Sequence, residues 1–367
     1  MGIANAGKAW SAAGVVAALA FTAGACGSAK ESGSGSGSGS TTAADEGFKI
    51  GLLLPETKTA RYEKFDRPYF TDHVKELCPK CTVVYSNANQ DPNLQQQQID
   101  SMLTNGVKVL VVDAVDAKAI SASVSKASSQ GIKVVAYDRL ATGPISAYTS
   151  FDNLQVGKMQ GQALLDALKA GGDPKRGPIV MVNGSPTDPN AGDFKKGAHS
   201  VLDGQVTIGK QYDTPDWSPD KAAVEAAGAF TALGASKVIG VYSANDGMAG
   251  GIAKSMANAS VAKGTPLTGQ DAELAAIQRI LLGTQTMTIY KPIKPEAQAA
   301  AQMAVDLGSG KTPTGNQTVS NVPAQVITPI VVNKANINDT VVKDQFWTVA
   351  EICTGAVAAA CKTNGLS

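Results

Sequence analysis

Histidine is nearly absent from this chain: His73 and His199 are the only two in 367 residues. Both fall inside segments of helical pattern rather than at strand ends, so neither is placed as a catalytic base and surface positions are expected for both. No Gly-x-Ser-x-Gly elbow and no His-Glu-x-x-His helix occurs, which removes two common hydrolase signatures. An excess of one charge is missing as well. Lys plus Arg number 32 against 31 Asp plus Glu, so there is no basic surplus to neutralise a phosphate backbone, and nucleic acid is not an expected partner. Cysteine is scarce, at positions 26, 78, 81, 353 and 361. The single Cys-x-x-Cys has no second copy and no neighbouring histidine pair, so no tetrahedral zinc set is complete and no metal is expected.

What is present begins with an export signal. The first 26 residues carry one lysine, an apolar run from about Ala12 to Phe21, then small residues ending at Cys26. That run falls short of the about 20 residues needed to span a bilayer. Small residues before a first cysteine resemble a bacterial lipobox, with Ala23 standing where the pattern prefers leucine. Lipidation of Cys26 is the expectation and ordinary cleavage the alternative; stable anchoring takes more than one acyl chain. Residues 27–47 then form a Gly/Ser-rich tether. Anchor, leash and globular body in that order describe a protein working just outside a membrane. In an oxidising compartment the remaining cysteines are expected to pair by proximity, Cys78 with Cys81 and Cys353 with Cys361, a redox site at the Cys-x-x-Cys being the alternative.

From Phe48 onward short apolar runs alternate with amphipathic segments: "KIGLLLPE", "CTVVYSNA", "KVLVVDAVD" and "KVVAYDRL" each precede a helical pattern. The cadence restarts with "PIVMVNGSP", "VTIGKQYDT", "KVIGVYSANDG" and "TPLTGQDAE". Such alternation predicts α/β architecture with parallel sheets, and the restart predicts two lobes. Polar ligands of these sheets bind beyond the carboxyl ends of strands. The residues there are Arg61 and Tyr62, Asp113 and Asp116, Asp138 and Arg139, Asp188 and Asn190, Trp217, Asn245 and Asp246, and Asp271. Facing each other across a cleft, they would line one pocket rich in donors and acceptors.

Two motifs imitate cofactor sites and are set aside, so no cofactor is expected. "LGSGKT" at 307–312 follows a helical stretch, has Val305 where a phosphate loop needs its first glycine, and runs into Pro313. "GMAGG" at 247–251 lacks dinucleotide spacing and reads as close helix packing. Asp138 with Asp271 is the obvious carboxylate pair for a glycosidase. The neighbours Arg139 and Gln270 favour ionised, recognising carboxylates over a general acid, and the chain is read as a binder, not an enzyme.

From about Lys49 to Phe346 the chain resembles the periplasmic sugar-binding proteins of bacterial ABC importers, closest to their D-xylose-binding branch. The resemblance is carried by "KIGLLL", "ARY", "VLVVDAVD", "KVVAYDRL", "SFDNLQVGKMQGQAL", "NGSPTDPNA", "ASKVIGVYSANDGMAGG", "TGQDAELAAIQRILLGTQTMTIYKPI" and "VPAQVITPIVVNKANINDTVVKDQF". It implies two Rossmann-like lobes of the type I periplasmic binding protein fold, joined by three hinge crossings near 151–153, 288–291 and 327–330. The lobes would be 48–152 with 290–327, and 153–289 with 328–367. It implies a monosaccharide ligand, D-xylose first, an ABC permease as partner, and a monomer. A chemoreceptor partner that reads the closed form is the alternative. The family's sugar contacts fall on Arg61, Tyr62, Asp138, Arg139, Asn190, Trp217, Asn245, Asp271 and Lys291. Tyr62 departs from the branch, which has tryptophan there.

Each residue also has a plainer reading. Asp246 and Asp271 precede helical patterns and would serve as N-caps, worth about 1 kcal/mol. Trp217 would pack its own loop, Arg61 would be a solvated surface arginine, and Lys291, between "TMTIY" and a proline, would belong to a hinge.

Overall fold

The computed structural model describes residues 46–366; Cys26, the signal and most of the tether lie outside them. Seven strands form the first sheet, in the order β10-β11-β5-β4-β3-β1-β2. They are β1 (Lys49–Leu54), β2 (Thr82–Asn87), β3 (Val107–Val112), β4 (Lys133–Tyr137), β5 (Ala147–Phe151), β10 (Gln317–Val319) and β11 (Val322–Ile327). β1, β3 and β4 read as near-continuous apolar runs because helices cover both faces of a parallel sheet. Ile50 pairs with Val109 and Leu110 with Val134, and every one of these side chains is buried. The chain reverses direction once in this sheet, at the β10–β11 hairpin, where Ser320 and Asn321 take φ of 49° and 63°. That is the geometry of a tight two-residue turn.

The second lobe is centred on β6 (Pro178–Asn183), with β7 (Thr207–Asp213) and β8 (Gly240–Ser243) parallel on either side. The run "TPLTGQDAE", expected as the next strand, forms none. Leu267 makes one isolated parallel bridge to Val241, and the segment beyond it departs from extended geometry at Asp271 and Ala272, with φ of 93° and 49°. A further antiparallel pair joins β9 (Thr288–Tyr290) to β12 (Ile330–Val332).

The chain passes between lobes three times. β5 ends at Phe151 in the first sheet, and the helix Asn153–Ala170 that follows packs on the helix Pro189–Leu202 of the second lobe. β9 gives way through Lys291 and Pro292 to the helix Ile293–Gly308, which packs on the helix Arg67–Leu77 of the first. β11 leads through Thr328 and Pro329 to β12.

Both disulfides are formed, Cys78–Cys81 and Cys353–Cys361. His73 and His199 lie on helices, bonded to Glu76 and to Asp203 respectively. "LGSGKT" starts at the carboxyl end of the helix Ile293–Gly308, the wrong pole of the helix dipole for a phosphate. In "GMAGG" Gly251 packs helices: a Cβ there would lie 2.3 Å from the Pro219 carbonyl oxygen. Among the described residues no helix is long and apolar enough to cross a membrane.

Candidate functional site

All nine sequence-derived residues line one cavity, and each is less than a tenth exposed. Chain geometry explains the convergence. Arg61 and Tyr62 stand after β1 at the start of the helical turn Tyr62–Asp66, beyond a loop that Glu56 folds by accepting from the amides of Lys58 and Thr59. Asp138 and Arg139 end β4, Asn190 follows β6, Trp217 follows β7, Asn245 follows β8, and Lys291 follows β9. Asp271 follows the Leu267 bridge. Eight of the nine lie beyond the carboxyl end of a strand and Asp271 beyond the isolated bridge, where side chains from both lobes can meet.

β4 stops because Asp138 turns left-handed, with φ 54°, a conformation that aspartate tolerates better than most residues. The turn is held from β5: the Asp138 amide donates to the Thr149 carbonyl at 2.9 Å, and its carbonyl accepts from Ser150 Oγ at 2.6 Å and the Tyr148 hydroxyl at 3.1 Å. Its carboxylate then faces three cations and an amide. Arg61 Nη1 donates to Oδ2, Lys291 Nζ stands 3.9 Å from the same oxygen, and Asn190 Nδ2 donates to Oδ1 at 2.6 Å. Burial pushes this carboxyl up, but Arg61, Lys291 and Arg139 together outweigh it and hold the group at about 2.

Arg61 is no surface arginine. Besides Asp138 it binds Asp66, with Nε at 2.9 Å and Nη2 at 2.7 Å, and Glu296 through Nη2 at 2.8 Å. Arg139 bridges the lobes, with Nε 2.9 Å from Asp188 Oδ2 and 3.4 Å from Asp113 Oδ1, and Nη2 donating to the Tyr62 hydroxyl at 3.2 Å. Lys291 pairs with Asp271 at 3.0 Å, so the crossing residue is also a cavity residue. Burial pushes Asp113, Asp188 and Glu296 upward in spite of the guanidinium beside each.

The N-cap reading fails for Asp271 and shifts by one residue for Asp246. Asn245 is the cap, its Oδ1 accepting from the Met248 amide at 2.9 Å. The Asp246 carboxylate instead accepts from Gln285 Nε2 and Thr288 Oγ1, each at 2.7 Å, and from the Glu273 amide at 3.0 Å. Asp116 is turn-building, bonded to the amides of Lys118 and Ala119. Trp217 combines loop packing with cavity lining. Its indole donates to Asp188 Oδ2 at 3.0 Å, its ring meets Phe194 edge-on at 6.3 Å, and a Cβ on Gly184 would lie 2.0 Å from it.

Thr59, Asp188, Phe194 and Gln270 complete the lining. Asp188 and Gln270 had a signal, their place after an apolar run; Phe194, inside a helix, had none. Glu296 and Asp66 form the layer behind Arg61 and are invisible to strand-end reasoning. One acceptor of the lining, Gln270 Oε1, receives no hydrogen bond, while Asp271 Oδ1 faces the Lys291 ammonium at 3.0 Å. An unsatisfied buried acceptor is costly and calls for a ligand that donates. The lining holds no histidine or cysteine, and the ionised Asp138 lacks the proton that a glycosidase acid must hold. The arrangement is suited to recognition.

The family described as periplasmic binding protein domain matches residues 50–312. The chain is 38% identical over 314 residues to the D-xylose-binding periplasmic protein of Escherichia coli K12, covering 83% of this chain and 92% of that one. It is 37% identical to the D-xylose-binding periplasmic protein of Haemophilus influenzae, over 85% and 94% of the two chains. A solute-binding protein of Chloroflexus aurantiacus, solved with D-glucose, superposes with a TM-score of 0.74 at 25% identity, over 83% and 98%. With the fold, the cavity between lobes and these relatives in agreement, the chain belongs to the periplasmic binding protein family, whose members bind and do not catalyse.

Proposed function

We propose that this protein is the solute-binding component of a sugar ABC importer, taking a monosaccharide into the cavity between its lobes and presenting it to a permease. D-xylose is the first ligand to test, since the two relatives above are named for it. The observation that carries the reading is the composition of the cavity wall. Arg61, Arg139 and Lys291 supply fixed donors, Asp138 and Asp271 supply acceptors, and Tyr62, Phe194 and Trp217 supply aromatic surface.

A pyranose has hydroxyls around its rim and apolar C–H faces, so charged groups serve the rim and rings cover the faces. Each hydroxyl both donates and accepts, and a carboxylate with a cation beside it satisfies both roles. A sugar with a misplaced hydroxyl leaves one of these buried groups unpaired, which supplies discrimination. Tyr62 alters one face, so the preferred sugar is decided by measurement.

A thermal-shift panel of pentoses and hexoses tests the reading. A ligand at 100 times its dissociation constant adds about 2.7 kcal/mol of stability. No shift with any monosaccharide overturns it. The tethered state is a separate arm: an acylated Cys26 in the membrane fraction supports a lipoprotein, and an unmodified, freely released chain refutes one.

A further inference from the structure

Trp347 lines no part of the cavity, yet it contacts what stands behind two of its walls. Its indole Nε1 donates to the Ala272 carbonyl at 2.7 Å. Ala272 directly follows the cavity residue Asp271, and both hold the positive φ noted above, a conformation that persists only where surroundings enforce it. The Asp271 amide is tied to the Ile289 carbonyl at 2.8 Å and the Ala272 amide to Thr288 Oγ1 at 3.1 Å. The Trp347 indole ties down the Ala272 carbonyl.

On another side Trp347 meets Phe65 edge-on at 5.4 Å, and Phe65 stacks on Phe346 at 4.1 Å. Phe65 lies in the same helical turn as Tyr62, one turn after Arg61. Lys64 closes the arrangement, its Nζ 3.8 Å over the Trp347 ring and 3.0 Å from Glu351. Phe65, Ala272, Phe346 and Trp347 belong to one apolar cluster, which draws on the first lobe, the second lobe and the carboxyl-terminal segment at once.

We propose that Trp347 is a positioning residue for the cavity: it fixes the Asp271 backbone in the second lobe and, through Phe65, the Arg61–Tyr62 turn in the first. The role rests on the sugar reading of the cavity. A binding carboxylate works only when its support is rigid, and Asp271 stands on backbone that would relax to ordinary φ if released.

Trp347→Phe tests this because it keeps a ring and removes the indole N–H. Val357→Ala, a truncation elsewhere in the same cluster, is the control for general loosening. The expected result for Trp347→Phe is at least fivefold weaker affinity for the sugar that stabilises the wild type, carried by faster dissociation. Amide exchange at Asp271–Glu273 in the ligand-free protein should rise with it. Val357→Ala should lower the melting temperature while keeping affinity and that exchange. Wild-type affinity and exchange in Trp347→Phe, or equal weakening in both variants, overturns the role. If the wild type binds no monosaccharide the sugar reading fails by itself, and unchanged exchange at Asp271–Glu273 then overturns the positioning separately.

Discussion

Arg139 of the first lobe and Asp188 of the second meet across the cleft at 2.9 Å, and the same Asp188 oxygen accepts the Trp217 indole at 3.0 Å. One carboxylate thus couples lobe closure to the placement of an aromatic wall. Removing Arg139 leaves both Asp188 and Asp113 buried without their cation, a loss that typically costs about 3–5 kcal/mol. Truncation at that position therefore confounds folding with binding, and a conservative change elsewhere is the better probe.

Asp138→Asn is that change. It keeps the shape and the turn while removing the charge that faces Arg61 and Lys291. Sugar affinity by calorimetry should fall at least tenfold, with the protein still folded. An unchanged affinity would remove Asp138 from the site.

Trp217 reports on the cavity directly. Its ring sits in the lining with its N–H on Asp188, so adding the correct sugar should change its emission, and Trp217→Phe should abolish the change while Trp347 remains. A flat titration across pentoses and hexoses counts against a ligand on that face.

Asp246 gives the ligand-free protein a pH dependence. Burial pushes its carboxyl up to about 7, only partly opposed by Arg279. A folded pKa above the unfolded value of about 3.9 means the fold holds the proton more tightly than the unfolded chain does. Its contribution is full below about 4 and is lost as pH climbs through about 7. Denaturant melts at several pH values should show stability falling across that window. Asp246→Asn should remove up to about 1.4 kcal/mol per pH unit from the slope; an unaltered slope refutes the assignment.

The cysteines make a chemical prediction. With Cys78–Cys81 and Cys353–Cys361 closed, denatured protein should titrate no thiol beyond an unmodified Cys26. Four reactive thiols would contradict both bridges.

Much of this was legible before any coordinates. Apolar runs that stop abruptly pointed to eight of the nine candidate residues, and seven of those do follow strands, since a parallel sheet exposes its polar chemistry where the strands finish; Lys291 came through the family resemblance. The run "TPLTGQDAE" misled because its apolar content matches a strand, while Asp271 and Ala272 take φ values that no strand allows. The second layer was not legible at all. Glu296 lies 235 residues from Arg61, and inside an alanine-rich helix nothing marks it as a partner.

The sequence by itself determined the alternation of buried strand and helix, the parallel sheets and the positions available to a ligand, because these follow from periodicity over a few neighbouring residues. The tertiary structure alone decided which charges share one buried space: Arg61 among Asp66, Asp138 and Glu296, Arg139 between Asp113 and Asp188, and Lys291 beside Asp271. Those pairings join side chains from distant parts of the chain. Their strength comes from burial, a property of the assembled fold and of no short stretch within it.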